Sequence, residues 1–314
     1  MPEISVIIAN WNGAHLLPGC LDALRRQSWR DFEVVVVDNG SIDGSLALLA
    51  RDYPEARVVA LRDNLGLAGG TNVGIRATDA PIVATLNNDT EADPRWLAEL
   101  HAALAAHPEA GSAATKMLLF DRRDTVQSAG DFYRLDGIPG NRGVWEADDG
   151  RYGRQELVFG ACAGAAAYRR TMLDDVGLFD DSFFMYCEDV DLAFRSQLLG
   201  YRCVYVPTAV VYHMLSASGG GPLASYYCGR NLLRVIARDM PGPLLRRAWP
   251  RILLAQARRA AEALRHLREP AARATLRGQW DGLRELPCLL RERRAVQARR
   301  RVPIRYLRSI MAAP

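Results

Sequence analysis

The sequence predicts an α/β fold with a mostly parallel central sheet flanked by helices, followed by a C-terminal helical extension. Up to residue 107, short apolar runs rich in Val and Ile alternate with segments of helical periodicity, at a repeat of about 30 residues. Such alternation is typical of right-handed β-α-β units, whose parallel strands are covered by helices. Each apolar run ends in a polar cluster, and beyond Pro241 the composition changes to Arg, Ala and Leu.

The first strand is predicted over Ile4–Ala9, because ISVIIA is apolar and β-branched, as in strands buried on both faces. Leucines at helical spacing then predict a helix to about Ser28. Further strands are predicted at 32–37 and 57–61, with helices at 43–51 and 68–77. PIVATL at 81–86 predicts a fourth buried strand, and Asp93-Pro94 a helix start with Asp93 as N-cap.

Four polar clusters follow these four predicted strands, at 10–12, 38–41, 63–64 and 87–89. The carboxyl ends of parallel strands meet at one edge of a sheet, and ligands of open α/β sheets bind there. We therefore expect the four clusters to line a nucleotide site.

The pattern is looser after residue 107. Strands are predicted at 113–120 and 125–129, and 131–155 is read as a long loop or irregular hairpin. A strand interrupted by Gly160 and Gly164 is predicted over 157–168. Helices are predicted at 170–176, 188–199 and 225–238, and strands at 202–206 and 209–212. Prolines punctuate three C-terminal helices, at 244–267, 271–286 and 289–301.

Charge is unevenly distributed along the 314 residues. Residues 1–240 hold 22 Lys and Arg against 31 Asp and Glu, whereas 241–314 hold 18 Arg against five acidic residues. We therefore predict two parts, a main domain over 1–240 and an Arg-rich helical extension over 241–314. The extension is amphipathic, which favours docking on an anionic membrane surface or packing on the main domain or a partner subunit. The sequence leaves open whether the protein forms a homo-oligomer.

The six cysteines show no CxxC pair, which indicates free thiols in a reducing compartment. We expect no signal peptide and no membrane-spanning helix. The expected location is cytoplasmic, with peripheral contact to the inner face of the cell membrane as an alternative. No base-reading module is evident, so nucleic acid is not an expected partner.

Two nucleotide chemistries are disfavoured by the motifs. The glycine-rich segment at 66–70 lacks the lysine of a P-loop, and the first strand is followed by NWNG instead of GxGxxG. Neither P-loop phosphoryl transfer nor hydride transfer fits these residues.

Seven motifs occur in an order that resembles one family. They are SVIIANWNG, VVVVDNGSIDGS, RDNLGLAGGTNVGI, ATLNNDTEADPRWL, GLFDDSFFMYCEDVDLAFRSQLLGY, VYHMLSASGG and YYCGRNLLR. This order resembles the family 2 glycosyltransferases of GT-A (Rossmann-like) fold, especially the bacterial rhamnosyltransferase-like branch that acts on cell-surface polysaccharides. The resemblance covers about residues 3–238. It implies that 1–240 is the catalytic domain.

The resemblance implies a set of donor-binding residues. Asp38 would accept a hydrogen bond from the imide N–H of uracil or thymine, and its alternative role is to cap the turn at Gly40 or Ser41. The other residues implied to hold the nucleotide sugar are Ala9, Asn10 and Trp11 at the base, Asn64, Gly69 and Asn72 at the ribose and phosphates, and Asn88 and Arg230 near the diphosphate.

Asn87-Asn88-Asp89 occupies the place of the family's DxD motif, so Asp89 would hold a divalent cation that bridges the donor diphosphate. Oxygen ligands suit Mg²⁺ or Mn²⁺. Because Asn87 replaces the first aspartate, we expect weak metal binding that depends on the nucleotide. His213 is the implied additional metal or diphosphate ligand, with a structural histidine as the alternative.

Glu188-Asp189 resembles the family's ED motif, which supplies the general base for the acceptor hydroxyl. Asp189 is the preferred base and Glu188 the close alternative. In the alternative structural interpretation, these acidic residues only supply negative charge at the helix N-terminus. Residues 160–164 and 183–186 would form the acceptor side.

The resulting hypothesis is an inverting, metal-dependent glycosyltransferase. It would transfer a sugar, with rhamnose favoured, from a dTDP- or UDP-sugar to a saccharide or lipid-linked acceptor. The rival hypotheses are a sugar nucleotidylyltransferase and an inactive relative that serves as an assembly partner.

Overall fold

The computed structural model of the chain describes residues 1–215 and 220–311. Part of the predicted 214–222 loop, residues 216–219, lies outside the described residues. Within these ranges the strands are β1 (Ile4–Asn10), β2 (Phe32–Asp38), β3 (Arg57–Ala60), β4 (Ile82–Leu86), β5 (Thr90–Ala92), β6 (Ala110–Leu119), β7 (Val126–Ala129), β8 (Asp131–Tyr133), β9 (Pro139–Asn141), β10 (Glu156–Val158), β11 (Ala165–Arg169) and β12 (Arg202–His213).

The helices alternate with these strands in the first third of the chain and dominate its last third. They are α1 (Leu17–Arg25), α2 (Ser45–Asp52), α3 (Gly66–Arg76), α4 (Trp96–Ala106), α5 (Arg170–Val176), α6 (Glu188–Leu199), α7 (Gly221–Arg238), α8 (Gly242–Arg265), α9 (Pro270–Ala298) and α10 (Ile304–Ile310).

The central sheet has the strand order β10-β12-β6-β11-β4-β1-β2-β3. Strand β1 pairs in parallel with β2 and β4, β2 with β3, and β6 with β12. Strand β11 runs antiparallel between β4 and β6, and β10 is an antiparallel edge strand. The predicted α/β fold with a mostly parallel sheet is thus confirmed.

Strands β1 and β4 are buried because helices cover both faces of the sheet. All five residues of β4 and six of the seven residues of β1 are buried. Glycine allows α3 to approach closely, since a Cβ atom at Gly74 would lie 2.4 Å from Cγ2 of Ile7. This packing holds the ends of β1, β2 and β4 together at one edge.

Three element predictions need correction. The 157–168 run is not one strand. Its first part belongs to β10, which pairs with β12 at the edge of the sheet, and its last part belongs to β11, which lies between β4 and β6. Helix α4 begins at Trp96, because Asp93 forms a turn in which its Oδ1 accepts the N–H of Arg95 at 2.9 Å. Helix α9 continues through Pro287 instead of ending there.

Helix α9 is held against α7 along its length. A Cβ atom at Gly278 would lie 2.1 Å from the carbonyl oxygen of Tyr226, so the two backbones are almost in contact. Farther along, Arg293 donates to the carbonyl of Ala237 at 2.9 Å. These contacts on both sides of Pro287 fix the helix direction despite the missing N–H. One face of the C-terminal extension therefore packs on the main part of the chain.

In the part of the chain that the structure describes, the helices are too short or too polar to cross a membrane.

Candidate active site

A cavity of about 640 Å³ lies at the carboxyl ends of the parallel strands. Its wall combines the ends of β1, β4 and β12, the start of α6 and the first half of α7. Of the residues predicted from sequence, it brings together Ala9, Trp11, Asn64, Asn88, Asp89, Glu188, Asp189 and His213.

Behind this wall, Asn10 and Asp38 form a fully buried polar layer. Asn88 Nδ2 donates to Asn10 Oδ1 at 2.7 Å, and Asn10 Nδ2 donates to Asp38 Oδ1 at 3.1 Å. The N–H of Ser41 donates to Asp38 Oδ2 at 3.0 Å, which is the turn-capping role left open by the sequence. Recognition of a base by Asp38 stays a prediction.

Two other predicted donor residues hold the fold together outside the cavity wall. Asn72 is fully buried, and its side chain accepts from the N–H of Phe179 and donates to Phe179 O and Asp181. A Cβ atom at Gly69 would lie 2.7 Å from Cβ of Leu65, so glycine is needed there for packing.

Arg230 is also outside the cavity wall that the described residues form. Its guanidinium pairs with Glu285 of α9 at 2.8 Å and donates to the carbonyl of Ser182 at 3.0 Å. A carboxylate of the C-terminal extension is thus its charge partner in the structure, and the role of Arg230 near the diphosphate stays a prediction.

On one side of the cavity, Asp89 and His213 form a close pair. Nε2 of His213 lies 3.0 Å from Asp89 Oδ1. On the other side of the ring, Nδ1 lies 2.8 Å from the carbonyl oxygen Oε1 of Gln127. Because a carbonyl oxygen can only accept, Nδ1 carries a proton and Nε2 is directed at the carboxylate.

This pair fits a divalent cation. Two adjacent ligands at about 2.1 Å from an octahedral Mg²⁺ are separated by about 3.0 Å. A second-shell acceptor such as Gln127 is what orients metal-binding histidines in general. The described residues contain no cluster of three or more His, Cys, Asp or Glu side chains that would enclose a metal. Asp89 and His213 would therefore hold a cation whose other ligands are water and the donor phosphates.

Another part of the cavity wall is formed by a strained loop before α6. Phe184, Tyr186 and Cys187 have φ values of 63°, 64° and 65°, which non-glycine residues rarely adopt. Asn231 of α7 stabilises this conformation, because its Nδ2 donates to the carbonyls of Phe183, Met185 and Tyr186 at 2.7 to 3.0 Å. The loop delivers Glu188 and Asp189 into the cavity at the first turn of α6.

The two carboxyl groups of the ED motif differ in environment. Burial, and next the charge of Asp189, raises the pKa of Glu188 well above its usual value. Burial also raises the pKa of Asp189, but N–H groups of Ala163 and Val190 donate to it at 3.2 and 2.8 Å and oppose the increase. These bonds favour Asp189 as the ionised member of the pair.

Gln127 and Asp131 are among the cavity residues that were not predicted from sequence. Gln127 lies within the strand predicted at 125–129, where an amide side chain inside a strand was the available signal. Asp131 was assigned to a Gly-rich and Arg-rich loop and carried no signal of its own. In the structure it starts β8, pairs with β9 and faces the cavity.

The family model for glycosyl transferase family 2 matches residues 5–177. The chain belongs to glycosyl transferase family 2. This match confirms the resemblance and the expected enzyme class.

Among curated relatives, an uncharacterized protein of Sinorhizobium fredii is 31% identical over 70% of this chain and 25% of its own length. An O-antigen biosynthesis protein of Myxococcus xanthus is 28% identical over 69% of this chain and 18% of its own length. The chain thus spans a quarter or less of these two relatives. An N-acetylglucosaminyl-diphospho-decaprenol L-rhamnosyltransferase of Mycobacterium tuberculosis is 28% identical over 71% of this chain and 80% of that protein.

A solved structure supports the fold. The mannosyltransferase PcManGT of Pyrobaculum calidifontis, in complex with GDP-Man and Mn²⁺, is 19% identical with a TM-score of 0.56, and the match covers 95% of this chain and 86% of that protein. The likeness confirms the GT-A fold.

Proposed function

We propose that the protein is an inverting glycosyltransferase of cell-surface polysaccharide synthesis. It transfers a sugar, with rhamnose favoured, from a dTDP- or UDP-sugar to a saccharide or lipid-linked acceptor. Asp89 and His213 hold Mg²⁺ or Mn²⁺ in this proposal, and Asp189 is the general base.

One observation carries the proposal. The pair Asp89 and His213, which suits a cation, lines the same cavity as Glu188 and Asp189, which suit a general base. Asp89 and His213 lie at the end of β4 and β12, whereas Glu188 and Asp189 lie at the start of α6. A displacement reaction needs a charge-stabilised leaving group on one side of the sugar and a base for the attacking hydroxyl on the other.

The cation, when bound, neutralises the charge that develops on the leaving diphosphate. Asp189 accepts the proton of the acceptor hydroxyl as that oxygen attacks the anomeric carbon. Glu188 is the poorer base in this proposal, because its raised pKa favours the protonated carboxyl group. A single displacement of this kind inverts the anomeric configuration.

Two relatives support the substrate classes. The mycobacterial relative is named for rhamnosyl transfer to a diphospho-decaprenol acceptor, and the Myxococcus relative for O-antigen synthesis. The structural neighbour binds Mn²⁺ together with a nucleotide sugar. We infer from them that this chain uses a rhamnose donor and a lipid-linked saccharide acceptor.

A thermal-shift screen of nucleotide sugars with and without Mn²⁺ tests the donor class. We expect dTDP- or UDP-sugars to raise the melting temperature, and Mn²⁺ to increase the shift, because ligands that bind only the native state stabilise it. Transfer to a synthetic N-acetylglucosaminyl diphosphate lipid is then measured directly. Stabilisation by nicotinamide dinucleotides alone, or by no nucleotide, would contradict the proposal.

The solvent side of α8 and α9 favours peripheral contact with an anionic membrane. Trp249 and Leu253 of α8 are 58% and 61% exposed, and Trp280 and Leu283 of α9 are 61% and 48% exposed. Gln279 of α9 donates to Gln256 of α8, which places Leu253 and Leu283 at the same level of this antiparallel helix pair. Exposed arginines flank these apolar side chains, as in helices that lie in a lipid interface.

Sedimentation with vesicles tests this contact. We expect wild-type protein to pellet with vesicles containing anionic lipid, and W249A/W280A to pellet at least about threefold less, since interfacial aromatic side chains anchor such helices. Arg51→Glu is the matched charge control, because Arg51 is exposed on α2, far along the chain from the extension. Equal pelleting of wild type and W249A/W280A would contradict a membrane role.

A further inference from the structure

Asp131 is a buried carboxylate in the wall of the catalytic cavity. Only 6% of the residue is exposed, yet it lines the cavity together with Asp189. In the described parts of the chain, neither arginine, lysine nor histidine forms an ion pair with it. A carboxylate in such a position has a considerable desolvation cost unless it has a polar partner.

The backbone and side chain of Asp131 are both fixed. Its N–H donates to the carbonyl of Gly160 at 2.9 Å, and the N–H of Phe159 donates to its carbonyl at 3.2 Å. Asn141 Nδ2 and Ser128 Oγ donate to its side chain at 2.7 and 3.4 Å. Both of these bonds end on Oδ1, so neither of them engages Oδ2.

Asp131 and Asp189 lie on two sides of the segment 160–163. Asp131 pairs with Gly160, and Asp189 accepts from the N–H of Ala163 at 3.2 Å. After burial, the charges of Asp131 and then Asp189 are the main causes that raise the pKa of Cys162, which lies in this segment. The carboxyl group of Asp131 is therefore close to the proposed base and on the side of the cavity assigned to the acceptor.

We propose that Asp131 positions the acceptor: its carboxyl group forms a hydrogen bond with an acceptor-sugar hydroxyl next to the one that faces Asp189. This inference rests on the proposed function and adds an acceptor-binding residue to it. Two carboxyl groups that each bind one of two neighbouring hydroxyl groups hold the sugar ring in a single orientation. Asp131 thereby contributes to the choice of the hydroxyl that is glycosylated.

Steady-state kinetics of D131N test the proposal. Asparagine preserves the shape and an acceptor oxygen for Asn141, so the fold is retained. With the N-acetylglucosaminyl diphosphate lipid as acceptor, we expect the acceptor KM to rise at least about tenfold, because the amide nitrogen of asparagine replaces one carboxyl oxygen and the hydrogen bond to the acceptor hydroxyl is lost. The donor KM and the rate of donor hydrolysis by water are expected to stay within about twofold of the wild type.

Asp149→Asn is the matched control, because Asp149 lies in the same segment, 131–155, but is exposed and outside the cavity wall. D149N is expected to match the wild type in every parameter. An unchanged acceptor KM in D131N, or an equal loss of donor binding, overturns the role of Asp131. A wild-type protein that neither hydrolyses nor transfers the donor sugar contradicts the proposed function instead. Melting curves of each variant with bound donor separate these outcomes from misfolding.

Discussion

The proposed metal side and the proposed acceptor side of the cavity differ in the partners of their carboxyl groups. On the metal side, Asp89 faces the imidazole of His213 at 3.0 Å, and Gln127 holds the ring from behind. On the acceptor side, Glu188, Asp189 and Asp131 line the wall, and no arginine or lysine pairs with any of the three within residues 1–215 and 220–311. One carboxylate is thus next to an imidazole, whereas the other three carboxyl groups have no arginine or lysine partner in the described residues.

This difference separates two chemical tasks. A carboxylate beside a histidine is suited to hold a divalent cation. Carboxyl groups with raised pKa values are suited to proton exchange, because their ionised and neutral forms are closer in free energy near neutral pH. The comparison predicts that metal and proton functions respond to separate substitutions.

The largest expected effect is the loss of the base. Asp189→Asn is expected to lower kcat for transfer by about a thousandfold, within the range that general bases contribute. Glu188→Gln is expected to cost less than about tenfold, because the raised pKa favours the neutral carboxyl group and glutamine resembles the neutral acid. Initial rates with saturating donor and acceptor give both numbers. Nucleotide binding should be unchanged in both variants, and a larger loss in E188Q than in D189N would reverse the assignment.

On the metal side, Gln127→Ala is expected to weaken Mn²⁺ binding by about 10- to 100-fold, the usual consequence of losing an outer-shell partner of a metal-binding histidine. Calorimetric titration of Mn²⁺ in the presence of a nucleoside diphosphate measures the change without any turnover. Gln127→Glu retains an acceptor for Nδ1 of His213 and should recover most of the affinity. If Q127A binds Mn²⁺ as tightly as the wild type, the histidine is not held in the way that the structure indicates.

The positions of Trp11, Asn88 and Asp89 in the cavity wall were predictable from sequence because they depend on strand ends, whereas their roles stay predictions. Trp11, Asn88 and Asp89 follow apolar runs directly, and parallel pairing of β1 with β2 and β4 brings those ends together. Local pattern and the rule for parallel sheets are sufficient in that case. His213 was identified by resemblance, since its strand pairs with β6, far away in sequence.

The acceptor side could not be predicted in the same way. Asp131 reaches the cavity only because β8 pairs with β9 and its backbone bonds Gly160, and no local periodicity encodes these long-range contacts. Arg230 shows the same limit. Its charge partner is Glu285, 55 residues away, and its role near the diphosphate stays a prediction. Charge partners from distant helices are invisible to motif analysis.

The pH dependence of kcat/KM sharpens the proton side of the comparison. Burial raises the pKa of Asp189, and transfer requires its ionised form. Activity is therefore lost as pH falls through this raised value, so the acid limb is expected above the usual range of an aspartate, about 3.9. The limb is measured between pH 4 and 9 with saturating Mn²⁺. Donor binding measured at each pH is the control, and an acid limb at or below pH 4 would contradict a raised pKa at the base.

The smallest expected effect concerns stability. Burial, and next the charge of Asp189, raises the pKa of Asp131 to about 8. A carboxyl group with a raised folded-state pKa stabilises the native state fully below its unfolded pKa, and this contribution is lost as pH rises through the folded value. The wild-type melting temperature should therefore decrease between about pH 4 and pH 8, and part of that decrease should be absent in D131N.

Since asparagine keeps a group that can accept from Asn141, we expect the melting temperature of D131N to exceed that of the wild type by roughly 2–4 °C at pH 8 and to match it near pH 4. Differential scanning calorimetry across this range, with D149N as the exposed control, measures the difference. Parallel curves for wild type and D131N would show that Asp131 is ionised in the folded protein, and would place a charged instead of a neutral carboxyl group beside the base.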